Sequence, residues 1–140
     1  VRMGLTQDLS PCSFTSKQVW WRGIADLIIV DDTKAWVIDY KSGRSAKYAD
    51  KGQLELMALS VFSYLPKIET INAGLLFVVS KHLIKQVYTR AQSALLWDKW
   101  ISNYKKMEIA YTKDVWNARP SGLCRRHCPV IECIHNGSNN

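Results

Sequence analysis

Val37-Ile38-Asp39-Tyr40-Lys41-Ser42-Gly43 starts as the end of a buried strand and then changes character. Two β-branched apolar residues enter a core, and a carboxylate, an aromatic ring and an ammonium follow before a Ser-Gly turn. An unpaired charge in such a place costs several kcal/mol, roughly 2–7 even for a neutral polar group left without a partner. The stretch therefore holds either a structural ion pair or a site where the charges do chemistry.

Working outward, Ala35 to Lys41 reads as the return strand of a hairpin whose turn is Asp31 to Lys34. The outgoing arm, Val19 to Val30, alternates loosely, turns apolar and reads as a strand interrupted around Gly23. From about Asp50 the period changes. Leu54, Met57, Ala58, Val61, Phe62 and Leu65 share a helical face that Pro66 ends. Ile71 to Ser80 is almost wholly apolar, as a central strand would be. "KHLIKQVYT" adds an edge strand, and Thr89 is placed to cap a long helix to about Thr112. That helix carries an apolar stripe through Leu95, Trp97 or Ile101, Tyr104 and Ala110 or Tyr111. Near the start, "VRMGL" suits a short strand and Ser10-Pro11 a turn. Strands, helix, strand, helix predict an α/β sheet domain.

A chain of 140 residues suits one domain, and 47% apolar with 22% charged residues is ordinary for a globular protein. No apolar run approaches the roughly 20 residues that span a bilayer, and the start carries no signal-peptide pattern. Neither a membrane protein nor a secreted disulfide framework is expected. The net charge of +7 favours a polyanionic partner, nucleic acid first. The chain opens on Val1, so a segment upstream of it is expected.

Asp26, in "RGIAD", and Asp39 lie on the two arms of the hairpin, where cross-strand neighbours meet. Two adjacent carboxylates repel unless a cation sits between them, and hard oxygen ligands suit Mg²⁺ or Mn²⁺. Lys41 shares the parity of Asp39, so both point to one face. Gln53 opens the following helix with its amide free to face the same site. This set is sufficient for metal-assisted phosphodiester hydrolysis. The bland alternative is an Asp39–Lys41 ion pair with Asp26 merely starting a turn. Against it, the residues before Asp39 are apolar, and Gly23 allows close backbone approach near Asp26.

"GIAD", "VIDYKSG" and "YADKGQLELMAL" together resemble the PD-(D/E)XK nuclease superfamily. The likeness is strongest to its RecB-type branch, which includes CRISPR-associated adaptation nucleases and small phage nucleases and carries G-x-x-D, D-Y-K-[ST]-G and a Q-L helix in this order. The resemblance covers Trp20 to Leu65. It implies a restriction-endonuclease-like core, a central mixed sheet flanked by helices. It further implies that Asp26 and Asp39 bind the metal, with the Tyr40 backbone carbonyl as another ligand. Lys41 would be the catalytic lysine, and Gln53 would stand near the scissile phosphate. Tyr48 would contact DNA. The family usually draws a Glu or His from a helix before the first strand, and nothing upstream of Trp20 matches it. The nuclease core is thus expected over residues 1–116 without that helix.

Residues 117–140 form a Cys/His-rich tail. Cys124, His127, Cys128, Cys133 and His135 fall at short spacing, as Zn²⁺ or iron–sulfur ligands do, and clustered cysteines without a secretion signal suggest an intracellular, cytoplasmic setting (the host's, if the chain is viral). In the family resemblance, Cys124, Cys128 and Cys133 would join an upstream cysteine on a [4Fe–4S] cluster. Cys12 is the only upstream cysteine, and the C-x3-C-x4-C spacing departs from the usual one. A zinc site within the tail, with His127 or His135 as fourth ligand, needs no distant partner.

Trp20 and Trp21, being adjacent, would face opposite sides of a strand. An exposed one could stack on an unpaired base, while a covered one simply packs on core. Arg44 and Lys47 follow the hairpin and could contact phosphates. Asn136-Gly-Ser138 is a glycosylation sequon only in a secreted protein.

The function expected is a Mg²⁺- or Mn²⁺-dependent deoxyribonuclease, an exonuclease of viral or bacterial DNA recombination, repair or replication. The alternative is a non-catalytic DNA-binding or scaffold module that keeps the fold. The tail could also dock recombination or replication proteins.

Overall fold

The computed structural model describes residues 1–44, 46, 47 and 49–139. Three short strands, β1 (Arg2–Leu5), β2 (Pro11–Cys12) and β3 (Trp21–Ile24), pair antiparallel in the order β2-β1-β3. β4 (Leu27–Asp31) and β5 (Lys34–Lys41) make the hairpin, α1 (Lys51–Tyr64) crosses over, and β6 (Thr70–Phe77) returns parallel to β5. β7 (His82–Thr89) completes a four-stranded mixed sheet, β4-β5-β6-β7, as its antiparallel edge. α2 (Ser93–Lys113) and the short α3 (Gly122–Arg126) follow. The chain divides into two compact units, Val1–Ile101 and Ser102–Asn140. The first is the expected α/β domain, with β6 central and β7 at the edge.

The outgoing arm differs from the sequence expectation. It is two strands in two sheets, and the break falls at Ala25-Asp26 rather than at Gly23. Ala25 stays tied to the first sheet, its N–H donating to Val1 O at 2.9 Å, and Asp26 is where the chain leaves it. Gly23 is not a tight approach: a Cβ there would meet Met57 Sδ and Trp21 Nε1 at 3.5 Å, an ordinary contact. Pro11 also departs from expectation. It pairs opposite Leu5 in β2, an edge strand that tolerates its missing N–H, and the turn lies before it, with Leu9 at φ 66°. In the β4–β5 hairpin, Asp31 pairs with Lys34, and Asp32 takes φ 51°, a conformation Asp tolerates better than most residues.

α1 organises the first unit. Asp50 caps it, accepting from Gly52 N at 2.8 Å. Leu54, Met57, Ala58, Val61 and Phe62 meet one sheet face, made by Ala35 and Val37 of β5 and Ile71, Ala73, Leu75 and Phe77 of β6. Leu59 faces away from that core into a second cluster with Leu5 and Trp97, flanked by Trp20, Trp21 and Trp100. A helix buried on two sides needs apolar residues around most of its girth, and the single stripe read from periodicity was only half of it. The opposite sheet face carries Trp36 and Ile38, with Ile29 and Val87 about half exposed, at 48% and 57%.

Two polar clamps hold α1 at its far end. The Tyr64 hydroxyl accepts from Gly4 N at 2.8 Å and lies 2.7 Å from Cys12 O and 3.0 Å from Gly4 O, joining the helix to β1 and β2. Arg90 donates to the carbonyls of Phe62, Leu65 and Ile68 at 2.7–3.3 Å and sits 5.1 Å from the Phe62 ring. It thus satisfies carbonyls that a helix end leaves unpaired and complements the helix dipole. Thr89, expected as the cap of the long helix, caps a short 3-10 turn (Arg90–Gln92) that runs into α2. The stripe on α2 keeps Trp97 and Ile101 of the expectation and departs from it at Leu95 and Tyr111. Leu95 is 74% exposed, whereas Leu96, Trp97, Trp100 and Ile101 meet the second cluster and Tyr111 is exposed.

In the second unit Asn136 is buried, and its Nδ2 donates to Cys128 O and Val130 O at 3.0 and 2.9 Å while its Oδ1 accepts from Ser138. The residue that reads as a sequon is a structural tie. No helix among the described residues is long and apolar enough to cross a membrane.

Arg90→Ala is expected to lower the unfolding free energy by about 2–3 kcal/mol, because charged hydrogen bonds are lost and α1 carbonyls are left unpaired. Arg90→Lys should restore only part, lacking the planar fork. Urea denaturation measures both, and a parent-like midpoint for Arg90→Ala would refute the clamp. Burial, helped by the negative charge of Glu55, pushes the Tyr88 hydroxyl up to about 12. Its neutral form is favoured in the fold, so stability is fully present below pH 10 and falls as pH rises from 10 toward 12. The difference between the parent and Tyr88→Phe should appear only in that window.

Candidate functional site

The buried face of β5 runs through Ala35 and Val37 to Asp39, which is 9% exposed. Parity carries Lys41 to the same face at the strand's end. Above this end stands the first turn of α1. Asp50 and Gln53 have the spacing of a capping box, yet the Gln53 side chain does not turn back to the cap. Its Nε2 donates to Asp39 Oδ1 at 2.8 Å and its Oε1 accepts from Lys41 Nζ at 2.8 Å. Lys41 Nζ lies 2.7 Å from Asp39 Oδ2. One amide thus bridges the two charges and fixes both.

Asp39 Oδ2 is buried, with the Lys41 ammonium against it. Asp26 supplies the second carboxylate. Leu27 pairs with Ile38, so Asp26 falls one step beyond the ladder, opposite Asp39. Asp26 Oδ2 accepts from Tyr40 N at 2.8 Å. In an extended strand the N–H and C=O of one residue point to the same side, so the Tyr40 carbonyl faces the Asp26 edge. Lys41 O faces the other edge, where it accepts from Val78 N at 3.0 Å.

The structure therefore brings Asp39, Lys41 and Gln53 into one network and sets Asp26 and the Tyr40 main chain beside it. Two carboxylates and a carbonyl are the hard donor set that Mg²⁺ or Mn²⁺ takes. The described residues contain no group of three or more His, Cys, Asp or Glu placed to hold a metal. Arg44 and Lys47 are exposed in the loop after β5, and Tyr48 lies outside the described residues.

In the tail, Cys124, Cys128, Cys133, His127 and His135 form no group of three or more placed to hold a metal among the described residues. Cys124 Sγ accepts from Ser121 N at 3.4 Å at the start of α3, and His127 caps that helix's end. Cys12 is fixed in β2, and no disulfide joins the four cysteines. The hydrogen bonds of Asn136 to Cys128 O and Val130 O tie this part of the tail together.

Sequence reasoning missed Trp100, Glu55 and Gly52. Trp100 Nε1 donates to Glu55 Oε1 at 2.6 Å, and Lys99 pairs with the same carboxylate. A Cβ on Gly52 would fall 3.0 Å from the Trp100 ring and 2.9 Å from Asp50 Oδ1, so glycine is what lets the indole reach the helix start beside Gln53. The "DKGQ" stretch carries a Gly inside the first helical turn, where it costs stability. That was the available signal.

A carboxylate pair and a lysine at the end of a hairpin, backed by a helix glutamine in an α/β domain, define a site suited to hydrolysis of phosphate esters. The family model of the PD-(D/E)XK nuclease superfamily matches residues 5–133, and the chain belongs to that superfamily. Its fold is the restriction-endonuclease-like one, and the superfamily's nucleases typically use Mg²⁺ or Mn²⁺. A comparison with curated proteins returned no match.

Gln53→Leu removes the bridge while roughly keeping volume, leaving Asp39 Oδ1 without its donor. It is expected to cost about 1–3 kcal/mol in urea denaturation without divalent cations. An unchanged midpoint would show that the bridge does not form.

Proposed function

We propose that this protein is a Mg²⁺- or Mn²⁺-dependent deoxyribonuclease of the RecB-type branch, working as an exonuclease in viral or bacterial DNA recombination, repair or replication. The observation that carries this reading is the Asp39–Gln53–Lys41 network with Asp26 across the hairpin, within a chain of the PD-(D/E)XK superfamily. A nuclease core of residues 1–116 and an intracellular setting with thiols reduced belong to the same proposal.

Asp26, Asp39 and the Tyr40 carbonyl would hold the cation, which supplies Lewis-acid polarisation of the phosphate and lowers the pKa of water. Lys41 is held by Gln53 Oε1 as well as by Asp39. Its ammonium is therefore positioned before substrate arrives, and charge developing on the phosphate meets a fixed cation. Gln53 acts on both sides, orienting the Asp39 carboxylate as donor and the Lys41 ammonium as acceptor. The net charge of +7 favours DNA binding that weakens with salt, and Arg44, Lys47 and Tyr48 would lie along its path.

Asp39→Ala and Lys41→Ala are each expected to reduce cleavage of end-labelled linear DNA by about a hundredfold or more, the scale for losing a preorganised electrostatic group. EDTA should abolish cleavage and added Mg²⁺ or Mn²⁺ restore it. Closed circular DNA should resist, as exonuclease action requires a free end. Parent-like rates in both variants, or no cleavage with any divalent cation, would overturn the reading.

A further inference from the structure

Beside the network lies a cleft of about 240 Å³, lined by Trp21, Trp100, Leu56, Met57, Gly52 and Gln53, with Asp50 also on its wall. We propose that it is a subsite for one unpaired nucleobase of a single-stranded DNA substrate. The proposal rests on the nuclease reading above for the class of substrate and names the part of it that this chain grips.

The walls are aromatic and held in place. Trp21 Nε1 donates to Ser60 Oγ at 2.9 Å and Trp100 Nε1 to Glu55 Oε1 at 2.6 Å. Each indole thus has its one polar edge satisfied, and what it offers the cleft is apolar ring surface. Rigid aromatic rings bind flat heterocycles at small entropic cost, and stacking on a base does not depend on which base it is. Met57 adds a thioether, which favours aromatic contact. Gly52 completes the shape, since a side chain there would collide with Trp100.

Size and charge select the occupant. The volume is below the roughly 300 Å³ at which small-molecule pockets begin, which suits a single ring system. An apolar lining with the Asp50 carboxylate on its wall rejects a phosphate but can accept an N–H from a base edge. A base inside a duplex has both faces stacked and its edge paired, so only an unpaired one can enter. Gln53 links cleft and network: it lines the cleft and holds both Asp39 and Lys41. A base seated there would place its own backbone next to that pair.

The test measures binding without hydrolysis. In EDTA, the parent's tryptophan fluorescence is titrated with a short single-stranded oligonucleotide, with the same strand made abasic, and with the blunt duplex. The normal strand should quench and bind about tenfold more tightly than the abasic strand, the scale of one stacked base, and more tightly than the duplex. In Trp100→Leu, shown by its melting curve to be folded, the difference between normal and abasic strands should collapse. Equal binding of normal and abasic strands by the parent overturns the subsite, and this comparison needs no variant to fold. Equal discrimination in folded Trp100→Leu also overturns it. The two readings fail separately: base-dependent quenching without cleavage in Mg²⁺ or Mn²⁺ would sink the nuclease reading alone, and cleavage without base dependence the subsite alone.

Discussion

Burial of α1 on two sides is the constraint on which the first unit depends. The helix gives Leu54, Met57, Ala58, Val61 and Phe62 to the four-stranded sheet and Leu59 to the cluster under β1 and α2. Once it is clamped between them, with Tyr64 and Arg90 holding its end, its first turn has one place to stand. That place is over the end of β5. The precision of the Asp39–Gln53–Lys41 network is inherited from hydrophobic burial several residues away.

The charges at the strand end are tolerated because each has a partner. Desolvating a carboxylate costs more than a lone ion pair returns unless remaining lone pairs are satisfied. Here the Gln53 amide supplies the donor, and Lys41 supplies the countercharge. Each oxygen of Asp39 thus meets one of the two, Oδ1 the amide and Oδ2 the ammonium.

Much of this arrangement was legible in the residues. The hairpin, the central and edge strands, and the helix with its Pro66 stop follow from alternation, apolar runs and a breaker, all local signals. The gathering of Asp39, Lys41 and Gln53 followed from parity and from a helix start after a short loop. The features that escaped are those decided by distant neighbours. The passage from one sheet to the other at Ala25-Asp26 depends on which strands compete for Trp21–Ile24 and Leu27–Asp31. On α2 the second cluster, which periodicity cannot see, takes Leu96 beside the expected Trp97 and leaves Leu95 out. In the tail, the tie made by one buried asparagine amide also escaped, because its acceptors are carbonyls that no sequence pattern marks.

By itself, then, the sequence determined the class of fold and the set of polar and charged groups at the end of one strand. Hydrophobic period and the order of charged residues are properties of the chain, and they survive any detail of how elements pack. Only the tertiary structure decided that Gln53 abandons its capping role to bridge Asp39 and Lys41. Likewise, it alone set Trp100 from α2 against Gly52 and closed an aromatic cleft beside them. Both depend on side chains far apart in sequence competing for the same space and the same hydrogen-bond partners, a competition settled only when the core is assembled.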